Sequence, residues 1–122
     1  MASNKTFTFG PLALTTTLTT NILNPDATSG GVNDNSTGLY ITLKHVRIVN
    51  KTGGAVTFSL WKGASAGNVA GTEVIGQGLS IAANAAFDWY GTMRFDVADF
   101  LVGGASANTS LSIQGEGEVG VA

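Results

Sequence analysis

The chain has 122 residues, 43% of them hydrophobic and only 11% charged, with a net charge of −2 and no cysteine. That length fits one domain with a single core. Six basic residues are too few for a phosphate track, which sets aside nucleic acid as a partner, and the missing thiols exclude disulfides and thiolate metal sites. No run approaches the ~20 apolar residues a helix needs to cross a bilayer. The N-terminal stretch lacks a secretory apolar region, so the protein is expected to start in the cytoplasm.

Residues 1–38 differ in texture from the rest. Phe7 and Phe9 share one strand face, Leu12 and Leu14 another, and Pro11 interrupts between them. A threonine-rich run follows from Thr15 to Thr20, then a turn at Asn24-Pro25-Asp26 and a polar loop from Thr28 to Gly38. This segment is expected to be an extended N-terminal arm with one or two short strands, paired with its own domain or with a neighbour. Residues 39–122 form the body.

In the body, apolar alternation predicts a strand over 39–49. Its phase changes between Leu43 and Val46, which calls for a bulge near Lys44-His45. After a turn at Asn50-Lys51-Thr52-Gly53-Gly54, a second strand places Val56, Phe58 and Leu60 inward, alternating with Thr57, Ser59 and Trp61. A Gly/Ala/Ser loop over 63–71 leads to a glycine-loosened strand over 73–81. Ala82-Ala83-Asn84-Ala85 is too short for a helix and is expected to turn. Phe87 and Trp89 then share a face that Met93, Phe95 and Val97 continue. A last strand over 109–118 turns Leu111 and Ile113 inward. The predicted core is therefore Val56, Phe58, Leu60, Phe87, Met93, Phe95, Leu111 and Ile113. About seven short strands with Gly and Asn turns predict an all-β, single-domain antiparallel β-sandwich or jelly-roll-like barrel.

Apparent motifs fail on context. Gly63-Ala64-Ser65-Ala66-Gly67 spells a nucleophile elbow, but the only histidine, His45, precedes Ser65 and no helix follows. Gly115-Glu116-Gly117-Glu118-Val119-Gly120 spells a dinucleotide fingerprint, yet the chain continues for only two residues and two carboxylates would repel a phosphate. His45 alone cannot build a zinc site. The start of a calcium loop at residues 33–38 lacks its closing glutamate, because Lys44 stands at the twelfth position. Asp96 with Asp99, and Glu116 with Glu118, are the pairs a glycosidase would use, with a solvated surface as the plainer reading. No cofactor or metal is implied, and no enzyme activity is expected. Trp61, Trp89 and Tyr90 are the candidate ligand or interface aromatics, suited to a sugar ring or a protein partner. Sequons begin at Asn4, Asn35, Asn50 and Asn108.

The runs HVRIVNKTGGAVTFSLWKG, LSIAANAAFDWYGTMRF and DFLVGGASANTSLSIQGEGE resemble a family of small β-rich tailed-phage virion structural proteins. The likeness covers about residues 45–118. It rests on the Asn50-Lys51-Thr52-Gly53 turn, the strand from Ala55 to Leu60, the Ala82-Ala83-Asn84 turn and the Ala107-Asn108-Thr109-Ser110-Leu111 stretch. The resemblance implies a non-enzymatic virion protein, made in the host cytoplasm and carried on the particle. A head-decoration or cement protein outside the capsid, bound to the major capsid protein, is the expected form. A tail, neck or fibre component and a carbohydrate-binding or adhesion sandwich are the alternatives. Decoration around capsid threefold axes implies a homo-oligomer, with a trimer favoured. The low surface charge suits close packing against other protein.

Overall fold

The structure, a computed structural model, describes residues 5–23, 40–96 and 98–120. The turn expected at Asn24-Pro25-Asp26, the polar loop to Gly38, the calcium-like stretch at 33–38, Leu39, Val97, and the sequons at Asn4 and Asn35 lie outside them. Among the described residues there are eight strands: β1 Lys5–Ala13, β2 Asn21–Leu23, β3 Tyr40–Asn50, β4 Val56–Gly63, β5 Glu73–Ile81, β6 Ala86–Asp96, β7 Phe100–Ala105 and β8 Leu111–Gly120. They form two antiparallel four-stranded sheets, in the orders β1-β8-β3-β6 and β2-β7-β4-β5, which do not close into a barrel.

The order has a simple logic. First strand pairs with last, second with seventh, third with sixth and fourth with fifth. A chain folded once into a long hairpin and then rolled over itself gives this nesting, the double-sheet jelly roll of eight strands. The inward residues of both sheets share one core. Ile41, Leu43, Val46, Ile48, Phe58, Leu60, Phe95, Leu111 and Ile113 lie in it, almost fully buried, and Val56 is 7% exposed. Phe87 and Met93 are half-buried and pack against that cluster, with the Phe87 ring 5.4 Å from Phe58.

Residues 5–23 are not an arm. β1 lies along β8, from Lys5↔Val119 to Ala13↔Ser112, and β2 lies along β7. Phe7, Leu14 and Leu23 are buried in the common core. Both strands thus pair within their own domain, and over this stretch the division into a 1–38 arm and a 39–122 body does not describe the fold. The expected short strands are present, but their partners leave no mark in the sequence, because they stand about 80 to 115 residues away. The Phe100–Ala105 strand was also not apparent from the sequence. Leu101, Val102, Gly103, Gly104 and Ala105 are all buried, so it has no polar alternation to betray it.

The bulge required by the phase change is present, with the register shifting between Leu43 and His45 against both neighbours. Thr57 is half-exposed beside fully buried Phe58. Phe58→Ala should therefore cost about 3–5 kcal/mol, and Thr57→Ala under about 1 kcal/mol. Equal shifts of the two in a urea titration would contradict this packing.

Candidate functional site

The richest polar constellation lies on the outer face of the β1-β8-β3-β6 sheet. The bulge in β3 turns Lys44 and His45 outward before Val46 returns to the core. Register then sets His45 opposite Tyr90 and Glu116, and Arg47 opposite Asp88 and Gln114. The side chains use these neighbours. His45 Nε2 lies 2.8 Å from Asp88 Oδ1. Arg47 clamps the same carboxylate, Nε donating to Oδ1 at 2.9 Å and a terminal nitrogen donating to Oδ2 at 3.3 Å. The His45 and Tyr90 rings stack at 4.5 Å, 9° from parallel. Glu116 approaches His45 Nδ1 at 3.8 Å, and Lys44 donates to Glu118 at 2.9 Å. Beside His45, a cavity of about 300 Å³ opens between Thr8, Gln114 and Glu116.

The electrostatics follow from the clamp. The Arg47 hydrogen bond, then that of His45, hold the Asp88 carboxyl below the usual aspartate range against a small opposing effect of burial. A carboxyl with a depressed folded-state pKa binds protons less well when folded. Its contribution to stability is complete above the unfolded value of about 3.9 and is lost as pH falls through the lower folded value. Asp88→Asn should therefore flatten the acid limb of a stability-versus-pH curve below about pH 4. An unchanged limb would mean the clamp does not persist in solution.

This arrangement differs from a nucleophile relay. An Asp–His pair works as a relay when the far ring nitrogen faces a hydroxyl or thiol. Here the far nitrogen faces the Glu116 carboxylate, and Asp88 is already held by Arg47. Among the described residues no group of three His, Cys, Asp or Glu side chains could hold a metal ion.

The three candidate aromatics do not converge. Trp61, expected to face outward, is only 5% exposed. It lies in one row with Val102, outside the main core cluster. The β4–β5 connection is tied across this row, because Asn21 donates to Ser65 Oγ at 3.0 Å and accepts from the Ala66 N–H at 2.7 Å. Among the described residues none meets hydrogen-bond geometry with the Trp61 indole N–H. It still adds, as the smallest favourable contribution, to lowering the pKa of Glu73, whose carboxylate is held chiefly by its own N–H and that of Gly71. Trp89 packs half-buried against the core. Tyr90 alone of the three is open, at 72%.

The other sequence candidates resolve into local structure. Ser65 ties down a loop. Gly115 and Gly117 are buried strand residues beneath the rings of Phe9 and Phe7. Asp99 caps the turn after β6, accepting from the Asp96 N–H at 2.9 Å, and Arg94 donates to Asp96 at 3.0 Å. The Asn50 sequon is blocked from modification because its amide is buried and fully bonded, and Asn108 accepts from the Thr16 N–H at 2.8 Å. The Arg47–Asp88–His45 clamp was missed in the sequence. Its only trace is the His-x-Arg and Asp-x-Tyr spacing on two strands, which becomes a contact once register is known. No protein-family model, curated protein or solved structure matches the chain.

Proposed function

We propose that this chain is a non-enzymatic structural protein of a tailed-phage virion, a head-decoration or cement protein seated on the outside of the capsid and bound to the major capsid protein. The observation that carries the reading is the strand order. An eight-stranded jelly roll is a rigid double sheet that recurs in viral capsid and lectin domains. Fold alone assigns no job, so the reading also leans on the turn-and-strand resemblance over residues 45–118. The surface supports it. Three of its basic residues are paired with carboxylates, and 11% charge leaves little repulsion against a protein neighbour. The lectin use of the same scaffold draws less support, since a sugar platform needs exposed rings and only Tyr90 of the three candidates supplies one.

The experiment is to purify particles of the phage that encodes the chain, quantify the protein by mass spectrometry and locate it by gold labelling. Label over the head shell is the expected result. Absence from mature particles would remove the proposal, and label confined to the neck, tail or fibres would replace decoration with one of those roles. Strong glycan-array binding lost on Tyr90→Ala would favour the lectin reading instead.

A further inference from the structure

The four sheet edges are unequal. An open edge invites pairing with another chain, and proteins normally blunt it with breaks, bulges, proline or shortness. β1 is broken, its register shifting between Phe9 and Leu12 around Pro11. β2 has three residues. β5 shifts register twice against β4 and carries left-handed backbone at Ile75 and Gly78. β6 shifts register once, against β3 between Tyr90 and Met93, and has none of the other devices. It runs eleven residues without proline or a left-handed residue, and among the described strands nothing lies beyond it. Phe87, Trp89 and Met93 along it remain half-exposed.

Both ends of β6 show which backbone groups face the free edge. The carbonyl of Ala85 accepts from Asn50 N–H and so points toward β3. The N–H and carbonyl of Asp96 bond to Asp99 and so point away from β3. The two ends agree in phase, odd-numbered Ala85 toward β3 and even-numbered Asp96 away from it, so the even-numbered residues present their N–H and C=O outward.

We infer that β6 pairs antiparallel with β6 of a second copy about a twofold axis at Gly91, joining two four-stranded sheets into one of eight strands. In that register each residue faces the one equally far on the other side of Gly91. Asp88 meets Arg94 of the second copy, and Arg94 meets its Asp88. Tyr90 faces Thr92. On the inner side Trp89 faces Met93, and Phe87 faces Phe95. Opposite charges across strands stabilise a pair and like charges destabilise it, and that contrast selects the axis. Moving it to Thr92 would set Asp88 against Asp96. Moving it to Tyr90 would leave Asp88 against Thr92 and Arg94 against Ala86. The pairing is isologous, so it closes after two copies. It therefore favours a dimer over the trimer implied by the phage resemblance, and it stands independently of any place in a virion.

The test is sedimentation equilibrium of the full chain at about 100 µM, high enough to populate a modest edge-to-edge contact. The expected mass is twice 12.4 kDa. Thr92→Pro deletes an N–H that faces the free edge and should give a monomer with an unchanged far-ultraviolet spectrum. Arg94→Asp sets like charges opposite one another twice and should weaken association at least about tenfold. Arg94 is exposed, so this variant carries the test if Thr92→Pro fails to fold. A wild-type monomer or trimer would overturn the inference, as would a dimer that survives Arg94→Asp undiminished.

Discussion

Asn50→Ala should lose about 3 kcal/mol of stability, a large effect for a single polar truncation. Asn50 ends β3 with no exposed surface. Its amide nitrogen donates to three carbonyls, those of Gly54 at 2.9 Å, Ile81 at 3.0 Å and Ala82 at 3.3 Å. Its amide oxygen accepts from the Thr52 N–H and hydroxyl. One side chain thereby folds the β3–β4 turn and ties it to the start of the β5–β6 turn. A buried carbonyl stripped of its donor costs about 1–3 kcal/mol. Gly54 and Ala82 keep second donors, so the loss falls mainly on Ile81 and on the ordering of the turn. Thr52→Ala removes one partly exposed hydroxyl and should cost only about 1 kcal/mol. Asn50→Asp separates acceptor from donor. It keeps the bonds to Thr52 but sets a carboxylate against three carbonyl oxygens, so burial would raise its folded-state pKa. Its deficit relative to wild type should be largest at neutral pH and shrink as pH falls toward about 4. Urea midpoints of the three variants at pH 7 and pH 4 measure all of this. Asn50→Ala falling within about 0.5 kcal/mol of wild type would show that water replaces the amide without loss.

The same residue shows how far the sequence carries. An Asn-x-Thr-Gly turn between two alternating runs identifies two strands and the turn that joins them, and the phase change at Lys44-His45 identifies the bulge, because both are local. The two strands do not fold back on each other as a hairpin, since β3 pairs with β6 and β8 in one sheet and β4 with β5 and β7 in the other. The buried partners of Asn50 across the second turn are not local and leave no mark in the sequence. Trp61 shows a different limit. Alternation correctly places it on the face opposite Leu60. Alternation says nothing of what else covers that face, and a loop held by Asn21 does so. At residues 5–23 the expected short strands form, and what the sequence leaves open is their partner. Phe7 and Phe9 gave the right face, but strand pairing across about a hundred residues cannot be read from spacing alone. Apart from the fully buried Phe100–Ala105 strand, which has no alternation to show, these misses lie where a contact joins distant parts of a nested topology, and the jelly roll consists mostly of such contacts.

Edges and faces divide the remaining surface between them. The outer face of the β1-β8-β3-β6 sheet spends its charges on itself, through Lys44 with Glu118, Arg47 with Asp88, and Arg94 with Asp96. Exposed pairs of this kind add little stability. What they do is leave a nearly neutral surface in which no single charge dominates approach. Specific association then depends on backbone edges, on half-exposed apolar side chains and on the sharing of Asp88 and Arg94 with an edge partner, which is why β6 matters more than the His45 cavity.

The second large effect should come from Gly117→Ala, with a loss of about 3 kcal/mol although it adds only a methyl group. β8 is the central strand between β1 and β3, and Gly117 is paired to Phe7 on one side and Leu43 on the other. A Cβ there would run into the Thr42 carbonyl oxygen and lie 3.1 Å from both Leu43 Cα and the Phe7 ring. Backbone on the β3 side cannot withdraw without opening the ladder, and Phe7 is itself fully buried. Overpacking of this kind commonly costs about 1–3 kcal/mol, and a site closed by backbone belongs at the upper end. The glycine also lets the Phe7 ring lie flat on the strand, an arrangement in which an aromatic covers backbone that lacks a side chain. Phe7→Leu combined with Gly117→Ala tests that geometry, because it removes the ring while leaving the Thr42 carbonyl in place. If the ring were the main obstacle, the double variant would recover most of the lost stability. The structure predicts little recovery, since the carbonyl is the closer contact. Gly63→Ala is the control: nothing lies within 4 Å of its Cβ, and its urea midpoint should stay within about 0.5 kcal/mol of wild type. A Gly117→Ala midpoint as close to wild type as that of Gly63→Ala would mean that β1, β8 and β3 do not pack as closely as this register requires.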